Sequence, residues 1–215
     1  MRLHQLIVAG LATASIGGTV VAQGTTGQRS RFGIAGGFNS STIGGTDFTD
    51  ASRRNGFIAG VLLVFPVASN VAIQPELLYT SKGVTGNDTD FNAALKMNYI
   101  EVPVLVRVDV PTSGRVRPFL YAGPAVSFKA SCNIEVSGQG VNINSNCDDF
   151  ESSGTKMKTV DYGLVGGGGL AFDVGGRTFS LGARYDHSLG KIVDESDSKH
   201  RVISVLATLE FPWGK

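Results

Sequence analysis

Beyond its first 22 residues this 215-residue chain has no long apolar run. A membrane-crossing helix needs about 20 consecutive apolar residues, so a second helical span is excluded. Charge is scarce too: 19 Lys and Arg stand against 18 Asp and Glu, for a net +1. Without a basic stripe there is no electrostatic footprint for nucleic acid. Low charge with many β-formers also opposes disorder. Histidine is limited to three residues and cysteine to two. Glycine, by contrast, is abundant (29 residues), but without the Gly-X-Y period of collagen.

The amino-terminal stretch has its own pattern. Arg2 and His4 give a short polar start, positions 6–21 are apolar or small, and Val20-Val21-Ala22 fits cleavage before Gln23. This predicts a secretory signal peptide at 1–22, with a retained membrane helix as the alternative. Export makes a Cys132–Cys147 disulfide the expected pairing. A two-Cys metal site and free thiols remain open, but no histidine lies nearby to support a metal.

The remainder alternates with period two, the mark of strands. Eight runs stand out: 31–40, 55–65, 71–81, 96–108, 117–129, 159–172, 178–188 and 201–211. Their lengths suit tilted strands crossing hydrocarbon. The connections alternate: 41–54, 82–95, 130–158 and 189–200 are long, whereas 66–70, 109–116 and 173–177 are short. That rhythm predicts an all-β, eight-stranded antiparallel up-and-down barrel over 23–215, with both termini on the short-turn side. An even, closed ring leaves no exposed edge.

One face of each run is apolar. Ile100, Val102, Val104, Val106 and Val108 oppose Tyr99, Glu101, Pro103, Leu105 and Arg107, and Phe179, Leu181, Ala183 and Tyr185 oppose Ser180, Gly182, Arg184 and Asp186. A soluble barrel would turn the apolar face inward. However, an eight-stranded barrel has room only for a filled core or one small ligand. Gly163, Gly167 and Gly169 also sit opposite Tyr162, Leu164 and Phe172. Small and charged residues suit a narrow interior and bulky ones suit lipid, so the apolar face is read as outward and the barrel as transmembrane, in a bacterial outer membrane. Aromatics near run ends (Phe32, Phe38, Phe57, Phe65, Tyr79, Phe128, Phe172, Tyr185, Phe211 and Trp213) fit two interfacial girdles. Pro75, Pro103 and Pro124 lie inside runs, where a missing N–H calls for bulges or breaks.

Several segments are similar to those of PorT-type outer-membrane β-barrel proteins. Gln74-Pro75-Glu76-Leu77-Leu78-Tyr79 with Ser81-Lys82-Gly83 resembles their QPELLYS-x-KG segment, and Tyr99-Ile100-Glu101-Val102-Pro103-Val104-Leu105 their YIE-[IV]-P-x-L strand. Pro118 to Pro124 resembles PYxxxGP, Asp161 to Gly168 resembles D-x-G-x-x-x-G-x-G, and Arg184-Tyr185 with Ser188-Leu189 resembles RYxxGL. The set is in order and covers nearly all of the chain after the leader. It implies an eight-stranded outer-membrane barrel of the broad OmpX/OmpA-like kind, with a link to secretion for some members. Asp186-His187 and the cysteine-bearing segment depart from the pattern.

The expected interior charges are Glu76, Glu101, Asp161, Asp186 and Glu210 against Arg107, Arg117 and Arg184. Unpaired charge in a narrow lumen is costly, so a salt-bridge plug is expected rather than a selectivity ring. His187 adjoins Asp186, but adjacent strand residues face opposite ways, and no nucleophile, base and orienter come together as a hydrolase needs. Gly166 to Gly169 lacks the Gly-Lys-Ser/Thr and helix of a phosphate loop. Asp47, Asp50, Asp148, Asp149, Glu151, Asp194, Glu195 and Asp197 could bind Ca²⁺ or bridge lipopolysaccharide, but their spacing matches no EF-hand and solvated loop charge is expected. Asn87-Asp88-Thr89 matches a glycosylation triplet that carries no weight in a bacterial barrel. The reading is therefore a monomeric, non-enzymatic barrel with no cofactor or metal. Its partners are outer-membrane lipid, with lipopolysaccharide or secretion and surface proteins at the long loops. A narrow porin or small-solute channel and a soluble periplasmic ligand-binding barrel are the alternatives.

Overall fold

A computed structural model describes residues 29–44, 52–87, 92–138, 141–147, 159–190 and 199–214. The signal segment 1–22, Asp88, Thr89 and all eight loop acids named above lie outside the described residues. Nine strands are present among the described residues: β1 (Arg31–Gly44), β2 (Ser52–Ala68), β3 (Val71–Asn87), β4 (Asn92–Asp109), β5 (Val116–Gly138), β6 (Val141–Asn146), β7 (Val160–Val174), β8 (Arg177–Ser188) and β9 (Lys199–Pro212). All but β6 form one closed antiparallel ring. Strand follows strand around it, β5 passes to β7, and β1 pairs with β9 from Arg31↔Pro212 to Gly44↔Lys199.

The apolar face points out. Val102, Val104 and Val106 are 37%, 46% and 48% exposed, whereas Glu101, Leu105 and Arg107 are buried. The same division holds on β8, where Phe179, Leu181 and Tyr185 are exposed and Ser180, Arg184 and Asp186 buried. Aromatics form two outer belts. Phe38, Phe57, Tyr79, Phe128 and Tyr185 ring the long-loop side, with Phe57 stacked on Tyr79 at 5.6 Å. Phe32, Phe65, Phe172, Phe211 and Trp213 ring the other, where Trp213 meets Phe65 at 6.2 Å. From Phe57 to Phe65 is eight residues of β2, which at a tilt near 40° span about 20 Å, close to the roughly 25 Å apolar band of such barrels.

Small residues make the narrow ring possible. A Cβ on Gly167 would sit 2.8 Å from the Tyr121 ring, which occupies the lumen. At the β7–β8 turn Gly175 and Gly176 both have positive φ (58° and 78°), the conformation a two-residue hairpin needs.

Three expectations from the sequence change. Strands continue past the apolar band: β3 reaches Asn87 and β5 reaches Gly138. Above the lipid both faces of a sheet can be polar, so alternation fades while the backbone ladder persists. Within the segment read as one long loop, β5 instead returns as β6, pairing Asn133↔Asn146 to Gly138↔Val141. The prolines also need no bulge. Beside Pro75 the β2–β3 ladder runs from Leu62↔Glu76 to Phe65↔Ile73 without a register shift, and the β3–β4 ladder does the same beside Pro103 and the β4–β5 ladder beside Pro124. Each proline withholds bonds from the preceding strand only, while Pro75↔Val104, Pro103↔Ala125 and Pro124↔Leu164 remain paired on the other side.

Candidate functional site

The lumen is threaded by one hydrogen-bonded chain of side chains. Arg31 at the short-turn end donates to Glu210 (2.7 Å), which also accepts from Arg107 (2.9 Å). Arg107 reaches Gln74, and Gln74 donates to Glu76 (2.6 Å). Glu76 and Glu101 both accept from Arg184, each at 2.5 Å, and Glu101 accepts from Lys82 at 2.7 Å. Arg184 also binds Asp186, and Arg107 binds Asp109. Strand alternation puts these side chains inside, and the residues of β3, β4, β8 and β9 meet across the ring. Burial makes unpaired charge expensive, so every member brings a partner. Arg107 additionally lies over the Phe119 ring, 4.3 Å from its centre.

Six of the eight interior charges named from the sequence therefore belong to this chain: Glu76, Glu101, Arg107, Arg184, Asp186 and Glu210. Two do not. Arg117 stands at the short-turn rim and pairs with Asp173 at 2.6 Å, both partly exposed. Its position one residue from the start of β5 puts it below the lumen. Asp161 accepts from Ser188 (2.7 Å) and has no ion-pair partner among the described residues. Lys82, Arg31, Gln74 and Asp109 were not foreseen. Lys82 falls in the segment 82–95 that the sequence predicts as a loop, yet it lies on β3 and shares the parity of Gln74, Glu76 and Leu78.

What space remains is small. Two voids lie along the chain: one of about 20 Å³ beside Arg107 and Arg184, and one of about 10 Å³ beside Lys82, Glu101 and Asp186. A water needs about 10–15 Å³, so each admits about one molecule.

Above the lumen lies an apolar cap of Val84, Met97, Tyr99, Cys132 and Cys147, backed by Leu95 and Ile134. Cys132 and Cys147 form a disulfide with Cα atoms 5.4 Å apart. A bulge aims it. Asn98 pairs with Ser131 but Tyr99 with Lys129, leaving Ala130 as the extra residue. Continued alternation would have turned Cys132 outward with Phe128; the inserted residue reverses it. The same residue marks where β5 leaves β7, after Phe128↔Val160, and goes on with β6. A Cys132→Ser/Cys147→Ser variant is expected to keep the barrel but loosen the hairpin by up to about 3 kcal/mol. Unchanged heat-modifiable gel mobility with faster proteolysis between β5 and β6 is the outcome to look for. Loss of the folded gel form would contradict it.

His187 lies on the outer face, its ring 6.2 Å from that of Tyr185, while Asp186 is buried in the lumen. They are not a catalytic pair.

Comparison with known proteins fits this geometry. The family model described as outer membrane protein beta-barrel domain matches residues 21–194. No curated protein matches the sequence. Among solved structures, Neisserial surface protein A aligns at 15% identity over 85% of this chain and 97% of its own, with a TM-score of 0.51. The attachment invasion locus protein Ail of Yersinia pestis aligns at 15% identity over 86% and 100%, with a TM-score of 0.46. OprG from Pseudomonas aeruginosa aligns at 14% identity over 88% and 100%, with a TM-score of 0.48. At these identities the likeness is one of fold.

Proposed function

The chain belongs to the outer membrane protein beta-barrel domain family, and from that premise we propose that it is a closed, non-catalytic scaffold that displays its long-loop end to partners outside the cell. The observation that carries this reading is the side-chain chain from Arg31 to Lys82. It fills the lumen, and the voids beside it hold about one water each. A channel needs a continuous hydrated path.

The face left for function is the one that rises above the membrane. There β6 pairs only with β5, and its other edge has no ladder partner among the described residues. Residues Val141–Asn146 contain neither charge nor proline, the devices that usually guard an edge. Such an edge suits strand addition by an extended segment of another protein. In this reading the short turns and both termini face the periplasm and residues 1–22 are removed on export. Outer-membrane lipid surrounds the apolar band, and lipopolysaccharide or a surface or secretion protein meets the long-loop end. The ordered PorT-like motifs support a place near that branch, with its link to secretion. The position of His187 outside and Asp186 inside supports a non-enzymatic role.

Purified protein in planar bilayers is expected to give no discrete conductance. Steady single-channel steps would move the reading to the narrow porin. A hydrolytic activity lost on His187→Ala would overturn the non-enzymatic part.

A further inference from the structure

At the short-turn end, below the ion-pair chain, lies a cavity of about 150 Å³. Its wall comes from Arg31 of β1, Ser69 and Asn70 of the β2–β3 turn, Asp109 and Thr112 at the β4–β5 turn, and Arg117 of β5. β1 and β5 stand four strands apart in the ring of eight, so the two guanidinium groups approach from opposite sides.

The inventory of unused groups is specific. The Arg31 side chain is 15% exposed and its Nε is bonded to Glu210. Among the described residues its two Nη groups have no acceptor. Arg117 commits both Nη atoms to Asp173, leaving Nε. Asn70 offers its backbone carbonyl to the Asp109 N–H, and its carboxamide is unbonded among the described residues. Asp109 gives Oδ1 to Arg107 and keeps Oδ2. The cavity thus carries several spare donors and one spare carboxylate oxygen.

A mostly buried guanidinium with open N–H groups favours an anion, and its planar fork favours a carboxylate. Asp109 Oδ2 calls for an N–H donor beside that anion and repels a second negative charge. Free phosphate is tetrahedral rather than planar, and as the dianion it brings the second negative charge that Asp109 repels. The carboxyl end of a polypeptide supplies the right one: a planar carboxylate with an amide N–H next to it. We propose that this cavity binds the C-terminal carboxylate of a peptide. Arg31 holds the carboxylate from one side, Arg117 Nε and the Asn70 carboxamide from the other, and Asp109 Oδ2 accepts the terminal N–H. The site itself stands on this geometry; only the periplasmic origin of the peptide rests on the orientation proposed above.

The test uses the full barrel in lipid nanodiscs, with N-acetyl-Ala-Ala as the free acid, the same peptide as its C-terminal amide, and inorganic phosphate. Titration followed by NMR or calorimetry is expected to show saturable binding of the acid in roughly the millimolar range. The amide and phosphate should each bind about tenfold more weakly, the scale of one charge-assisted hydrogen bond. Arg31→Lys keeps a cation against Glu210 but removes the fork, so it should weaken the acid by a similar factor while the folded gel form persists. Asn70→Asp, outside the ion-pair chain, should also weaken it. Equal binding of acid and amide, phosphate as tight as the acid, or binding unchanged in both variants would overturn the proposal. Orientation is separable: Thr112→Cys labelled by a membrane-impermeant thiol reagent in intact cells would reverse the compartment and leave the binding result standing.

Discussion

Replacing Arg184 with methionine is expected to cost roughly 3–5 kcal/mol of barrel stability, the scale for breaking one side of a buried ion pair. Arg184 is 2% exposed and touches three carboxylates, Glu76, Glu101 and Asp186. Glu101 keeps Lys82 and Ser127 when Arg184 goes. Glu76 keeps only the neutral Gln74, and Asp186 keeps no partner among the described residues. Two carboxylates are then stranded in a space that admits about one water. The cost arises from stranded charge rather than from lost attraction, so it should be recoverable. Adding Glu76→Gln and Asp186→Asn to Arg184→Met is expected to restore much of the loss, because neutral amides are cheaper to bury. Urea unfolding in lipid vesicles, read by tryptophan fluorescence and gel mobility, compares the single and triple variants. A single-variant loss below about 1 kcal/mol would mean the lumen is wetter than the packing implies.

Val104→Arg is the second large effect. Val104 sits midway along the outer apolar face of β4, 46% exposed between Val102 and Val106. If that face meets hydrocarbon, a charge there costs about 2–4 kcal/mol. On a soluble barrel the same exposed position would tolerate arginine within about 0.5 kcal/mol. Asn144→Arg on β6, exposed above the band, is the matched control and should be nearly neutral. Failure of Val104→Arg to lower stability or insertion, with Asn144→Arg equally silent, would remove the lipid-facing assignment.

The barrel was legible because lipid and a narrow lumen impose opposite demands on alternate residues. That contrast is strongest between the aromatic belts, and the eight runs coincide with the strands there. It weakens above them. Lys82 and β6 read as loop in the sequence because outside the membrane no apolar face is required, and period two loses its chemical contrast. Cys132 shows a different limit. Its inward aim depends on one inserted residue, Ala130, and nothing in the local composition distinguishes a bulged residue from a paired one. The prolines misled in the other direction. They suggested broken strands, whereas each only withholds bonds on one side of an otherwise continuous register. The ion-pair partners could be named by type but not matched, since pairing across a lumen depends on ring order and stagger. Arg117 was the cost of that ambiguity: its parity is right, but its height along the strand places it at the rim.

The long-range ties have a consequence for how the molecule is made. Arg184 joins β8 to β3 and β4, and Glu210 joins β9 to β1 and β4, over separations of 83 to 179 residues. None of these contacts exists while the last strands are still arriving. Lys82 and Glu101 can pair as soon as β3 meets β4, but until the last strands arrive Glu76 and Arg107 must keep much of their hydration, so an unfinished barrel has to be wet around them. Drying is the final event, and it happens only once the first and last strands meet. A chain stopped before β9 still holds Arg184 and its three carboxylates, but it leaves Arg31 and Arg107 without the Glu210 they share. Completion of the ring, rather than the pairing of any single hairpin, is what finally dries the lumen.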